Sequence, residues 1–165
     1  MAISVPSKSA QYTDYSASPK TMVSARDWGS KLRASYAKLT FTAAGFTTAA
    51  LGDIALIRMP AGKVRILSNL SWVTCPVGTA TSDLDIGLGA YKNNAGTTVA
   101  LNGIQLADSL DVGGGAIDQA LPLPAANGIV EVESQDGFDI VASFDTANSP
   151  AAGDLEVTIV YQIGN

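Results

Sequence analysis

Three stretches of this chain alternate apolar and polar residues with a period of two. Leu84, Ile86, Leu88 and Ala90 share one face, with Asp83, Asp85, Gly87 and Gly89 on the other. Phe138, Ile140, Ala142 and Phe144 alternate with Asp139, Val141, Ser143 and Asp145. Leu155, Val157, Ile159, Tyr161 and Ile163 alternate with Asp154, Glu156, Thr158, Val160 and Gln162. Successive side chains of a strand point to opposite faces, so this pattern predicts antiparallel strands, apolar inward and polar outward. No long helical period accompanies them, which sets aside α/β folds, and no unit repeats at about 20–50 residues.

Turn signals divide the rest. Lys38–Thr42 alternates briefly, and the apolar run Ile54–Met59 ends at Pro60-Ala61-Gly62. Val64, Ile66, Leu70 and Trp72 read as the core face of one further strand, closed by Pro76-Val77-Gly78. Asn93-Asn94-Ala95-Gly96 is a loop, and Ile129–Ser134 another short strand. Between Val99 and Leu123 the pattern weakens. Ile104, Ala107 and Leu110 suggest a short helix or helical turn there, and Gly113-Gly114-Gly115 a bend or hinge. Leu121-Pro122-Leu123-Pro124 cannot be a central strand, because proline lacks the ladder N–H. Seven or eight strands with one long crossover predict an all-β, antiparallel β-sandwich of jelly-roll or Greek-key type over residues 36–165.

Residues 1–35 carry no sustained period and read as an extended N-terminal arm, with a weak helical turn near Ser24–Arg33. Charge separates the two parts. The first 38 residues hold six basic residues against Asp14 and Asp27, and the remainder four against thirteen acids, giving +4 and −9 of the total −5. No Lys, Arg or His follows Lys92. A basic arm on an acidic body suggests that the arm grips a partner while the body faces water. The arm residues Tyr12, Tyr15, Arg26, Trp28, Lys31 and Arg33 combine charge with large rings and are the candidate contact residues. Six basic residues over 38 positions make no dense patch, so a protein partner is expected rather than nucleic acid. No secretory signal and no membrane span of about 20 apolar residues is visible, so synthesis in a cytoplasm is expected.

Chemistry is sparsely provided. The chain has no His, which removes the commonest general base and metal ligand and excludes Ser-His-Asp and Cys-His arrangements. The single Cys75 can form no intrachain disulfide and reads as a small buried hydrophobe. Gly87-Leu88-Gly89 opens no helix and reads as a thinned sheet face rather than a phosphate loop. Asp83/Asp85, Glu131/Glu133 and Asp154/Glu156 each place two carboxylates on one strand face. Such pairs can serve acid–base chemistry or calcium. The alternation places them toward solvent, so no catalytic residue, metal site or cofactor is expected.

The order Arg58-Met59-Pro60-Ala61-Gly62-Lys63-Val64, Leu84-Asp85-Ile86-Gly87-Leu88-Gly89-Ala90-Tyr91, Leu106–Val112, Asp139–Ala142 and Ala152–Tyr161 resembles small head proteins of tailed bacteriophages, the decoration or cement proteins. The resemblance covers roughly residues 50–163 and rests on strand-and-turn motifs. It implies a non-enzymatic β-sandwich, often a homotrimer, on the outer surface of the virion head, where it bridges neighbouring major capsid subunits. The competing expectations are a carbohydrate- or receptor-binding sandwich of a phage tail or fibre, which needs an exposed aromatic platform, and an enzyme built on the carboxylate pairs. Most aromatics fall on core faces or in the arm, leaving Tyr91 as the best exposed candidate for a platform.

Overall fold

A computed structural model describes residues 32–41, 54–78, 81–122, 129–144 and 150–164. Among them there are twelve strands, one 3-10 turn and no α-helix. The strands are β1 (Arg33–Phe41), β2 (Ile54–Met59), β3 (Gly62–Leu67), β4 (Trp72–Cys75), β5 (Asp83–Leu88), β6 (Tyr91–Lys92), β7 (Thr98–Val99), β8 (Asn102–Asp111), β9 (Ile117–Ala120), β10 (Ile129–Ser134), β11 (Phe138–Phe144) and β12 (Gly153–Gly164).

Every pairing is antiparallel, and the strands form two main sheets. In the first, β12 is the spine. Its one edge pairs with β1 from Arg33↔Tyr161 to Phe41↔Gly153. Its other edge pairs with β3 around Tyr161↔Ile66 and with β4 around Thr158↔Trp72. β3 and β4 are therefore two halves of one line, and β10 and β9 flank them in turn. The second sheet runs β2-β11-β5-β8. Counting each broken line once gives four strands per sheet, in the double-sheet order of a jelly roll. β6 and β7 form a separate small hairpin around Asn93–Gly96.

The inward faces meet in one core. Val64, Ile66, Val73, Leu155, Val157 and Ile159 of the first sheet and Leu84, Ile86, Phe138, Ile140 and Ala142 of the second are buried. Phe41 and Phe144 join the sheets edge to face, with ring centroids 5.8 Å apart.

The structure corrects the sequence reading at four points. The strand expected from Val64 to Trp72 is interrupted by the 3-10 turn Ser68–Leu70. Between Ile66 and Trp72 the chain spends six steps where β12 spends three. Three extra residues, an odd number, reverse the alternation. Val73 and Cys75 face the core, while Leu70 and Trp72 are about half exposed. Ser71 secures the break: its hydroxyl donates to the Leu67 carbonyl and accepts from the Val160 N–H, both at 2.9 Å.

Ile104, Ala107 and Leu110 do not lie on a helix but on β8. That strand takes nine steps between Asn102 and Asp111, against five on β5, through two register shifts. Extra residues destroy the period-two signal, and a spacing that suggests a helix is left behind. Asp85 does not face water. It is 7% exposed, and its carboxylate accepts the Ser109 N–H at 2.7 Å. The covering chain is β8 itself: a Cβ on Gly87 would lie 2.1 Å from the Asn102 carbonyl oxygen. Gly87 thus thins that face, as its pattern predicts. Finally, β1 opens at Arg33, so the sandwich begins inside the segment assigned to the arm. Its first inward residues, Ser35 and Ala37, are too small to produce a hydrophobic signal.

Candidate functional site

The outward face of the β12 sheet carries the most distinctive surface. Directly opposed residues share a face, which fixes the rows. One row runs Tyr36, Thr158, Trp72, Ala120; the next runs Lys38, Glu156, Thr74, Asp118. Tyr36 is 58% exposed and Trp72 47%. Leu32 and Leu70 are also exposed.

Trp72 is held in place from one side. Its indole Nε1 donates to Asp118 Oδ1 at 2.5 Å, and the Thr74 hydroxyl donates to the same oxygen at 3.0 Å. The two donors, Trp72 first, hold the Asp118 carboxyl below its ordinary range. On β1, Lys38 Nζ lies 2.7 Å from Asp154 and 3.8 Å from Glu156. Thr40 adds a donor to Asp154 at 2.6 Å. The hydrogen bond to Asp154 raises the Lys38 ammonium above its ordinary value, and Lys38 and Thr40 lower the Asp154 carboxyl. Partial burial and a hydrogen bond to Glu156 raise the Tyr36 phenol. The result is an aromatic row beside a row of ionised and hydroxyl groups.

The carboxylate pairs divide accordingly. Glu131 and Glu133 face outward as expected, with Arg65 Nη2 2.5 Å from Glu131 and Lys63 Nζ 2.9 Å from Glu133. Asp154 and Glu156 face Lys38, and Asp85 is buried away from Asp83's half-exposed side chain. Among the described residues no group of three or more His, Cys, Asp or Glu side chains could hold a metal ion. Nor is any helix there long and apolar enough to cross a membrane. Cys75 is fully buried and its thiol is pushed up to about 12 by that burial, which leaves no thiolate near neutral pH.

A second, shallow cleft of about 260 Å³ is lined by Arg58, Ala90, Tyr91, Lys92, Thr98, Asp136 and Gly137. Arg58 is occupied there by Asp139 at 3.1 Å and by the Asp136 carbonyl at 2.6 Å. Tyr91 is not an open platform. Its ring is half-buried and packs on Phe138 at 5.8 Å. Among the described residues the exposed rings are Trp72 and Tyr36, and the alternation had placed Trp72 on a core face.

Of the expected contact residues, Tyr12, Tyr15, Arg26, Trp28 and Lys31 lie outside the described residues. Most of the helical turn expected at Ser24–Arg33 lies there too. Arg33 starts β1 on the sheet edge, opposite Tyr161, with its side chain exposed.

No family model matches the sequence, and no curated protein matches it. In three dimensions the chain is similar to a chain of the Cyanophage Pam1 capsid asymmetric unit. The TM-score is 0.53 at 13% sequence identity, over 99% of this chain and 94% of that one. The likeness is one of fold.

Proposed function

We propose that this chain is a non-enzymatic structural protein of a phage virion, a decoration protein that binds the outside of the head and bridges neighbouring major capsid subunits. The observation that carries the reading is the fold shared with a capsid chain along nearly the whole of both chains. Chemistry supports it. Two of the three carboxylate pairs, Asp154/Glu156 and Glu131/Glu133, are engaged by Lys38, Lys63 and Arg65 in ion pairs, an arrangement suited to a stable exposed surface. The acidic body and basic N-terminal segment suit attachment through one end. In this reading Tyr12, Tyr15, Arg26, Trp28, Lys31 and Arg33 make the capsid contact, and a homotrimer multiplies a modest affinity through avidity.

Copy number in purified virions, scaled to the major capsid protein by quantitative mass spectrometry, tests the assignment. Hundreds of copies per head are expected, and complete absence from the particle would overturn it. Deleting residues 1–31 should leave a folded body that no longer attaches to heads; attachment at full strength refutes the role of the arm.

The exposed pair Trp72 and Tyr36 favours a second reading, a carbohydrate- or receptor-binding module of a tail or fibre. A handful of copies per particle would favour it over the head.

A further inference from the structure

We infer that the Tyr36–Thr158–Trp72 row, with the Glu156–Thr74–Asp118 row beside it, is a binding face for a neutral polysaccharide. The inference deepens the carbohydrate-binding reading by naming its site and ligand class. It is compatible with a place on the head or on the tail.

Three features select this ligand. First, large rings on an outward sheet face expose apolar area that folding does not use. Tyr36 and Trp72 stand on β1 and β4 with β12 between them, so their backbones are two strand spacings apart, roughly 9.6 Å. In an extended polysaccharide, alternate sugar rings rather than adjacent ones present flat C–H faces at a comparable spacing. Second, the Trp72 ring is oriented before any ligand arrives. Its only polar atom is spent on Asp118, so its face is left for stacking and little side-chain freedom remains to be lost on binding.

Third, the neighbouring groups accept and donate hydrogen bonds at the periphery of the rings. Asp118 takes both its side-chain donors on Oδ1. Glu156, Thr74 and Thr158 lie on the same face. Sugar hydroxyls suit such a border of carboxylates and hydroxyls. A protein partner suits it poorly, because interface centres are depleted of charge and covering Lys38, Asp154, Glu156 and Asp118 would strip four ions of water. With three acids against one lysine in these positions, an anionic glycan is disfavoured, and the border of hydroxyls and already engaged carboxylates points to the neutral class.

Native affinity electrophoresis of the full chain tests this, in gels containing hydroxyethylcellulose, galactomannan or dextran. The chain should be retarded by at least one of the three. Trp72→Ala should weaken that retardation roughly tenfold, Tyr36→Ala less, while Trp72→Phe keeps most of it. Circular dichroism should show all three variants folded. Tyr36, on an edge strand and more exposed, preserves the test if Trp72→Ala fails to fold. Passage of the wild-type chain unretarded through all three gels overturns the proposal, as does full retardation of folded Trp72→Ala or Tyr36→Ala. Loss of head attachment in Trp72→Ala without any polysaccharide binding would also overturn it, in favour of a protein interface. Copy number on virions is measured independently, so failure here leaves the head assignment standing.

Discussion

Gly87→Ala is the sharpest test of how β8 lies on β5. The added Cβ would sit 2.1 Å from the Asn102 carbonyl oxygen and 2.2 Å from the Gly103 carbonyl carbon. Both obstacles are backbone, so no side chain can swing aside. To restore even the 3.0 Å that real Cβ atoms respect, β8 must retreat by about 0.9 Å. Overpacking of this kind costs about 1–3 kcal/mol. A retreat of that size also weakens one or two ladder hydrogen bonds, at about 0.5–1.5 kcal/mol each. A loss of about 3 kcal/mol is therefore expected. For a chain of this size it should lower the unfolding midpoint by roughly 6–12 °C. Gly115→Ala is the control. Nothing lies within 4 Å of the methyl group it would gain and its φ is not in the left-handed region, so it should be neutral or stabilising by about 0.4–1 kcal/mol. Urea unfolding of both variants, with m-values compared, makes the measurement. Stability of Gly87→Ala within about 0.5 kcal/mol of wild type would refute the close approach of the bulged β8 backbone to Gly87.

Three further outcomes are expected. Asp85→Ala should cost about 1–3 kcal/mol, since it strands the Ser109 N–H, whereas Ser109→Gly should relieve a left-handed φ of 53° and be neutral or slightly stabilising; chemical denaturation of the pair reads the opposite signs. Ser134→Ala should be neutral or stabilising by about 1 kcal/mol in a thermal melt, because the hydroxyl it removes is buried without a hydrogen-bond partner. Cys75 should resist a thiol reagent until the protein unfolds. Its folded pKa lies above the unfolded value of 9.0, so its contribution is complete below pH 9 and shrinks as pH rises toward about 12, by up to about 1.4 kcal/mol per pH unit; stability of wild type minus Cys75→Ala, followed against pH, isolates it.

Strands whose two faces differ in polarity were legible in the residues. β2, β11 and β12 fall where their alternation or apolar runs place them, as do the turns at Pro60–Gly62 and Asn93–Gly96. The remainder was lost where chain length is unequal across a ladder. Three surplus residues before Trp72 turned an apparent core tryptophan outward, and four in β8 imitated a helix. Periodicity reports local parity only, whereas an insertion's effect depends on a partner strand distant in sequence. Burial of Asp85 was hidden for the same reason, because its cover comes from a bulged neighbour. The aromatic face was illegible as a site because it assembles from β1, β4, β9 and β12, which the sequence places far apart.

The spine position of β12 sets when this molecule can exist. β1 and β3/β4, which flank it, have each other's company only through Gly153–Gly164, and the pairing Arg33↔Tyr161 spans most of the chain. While that segment is still inside the ribosome, the emerged chain holds strands whose hydrogen-bonding edges lack their partner. Folding of the first sheet must therefore wait until Gly153–Gly164 has emerged. Contacts this distant also make for slow folding, on the order of milliseconds to seconds. In that interval the exposed edges invite pairing between nascent chains, so chaperone supply and translation rate should govern the yield of soluble protein.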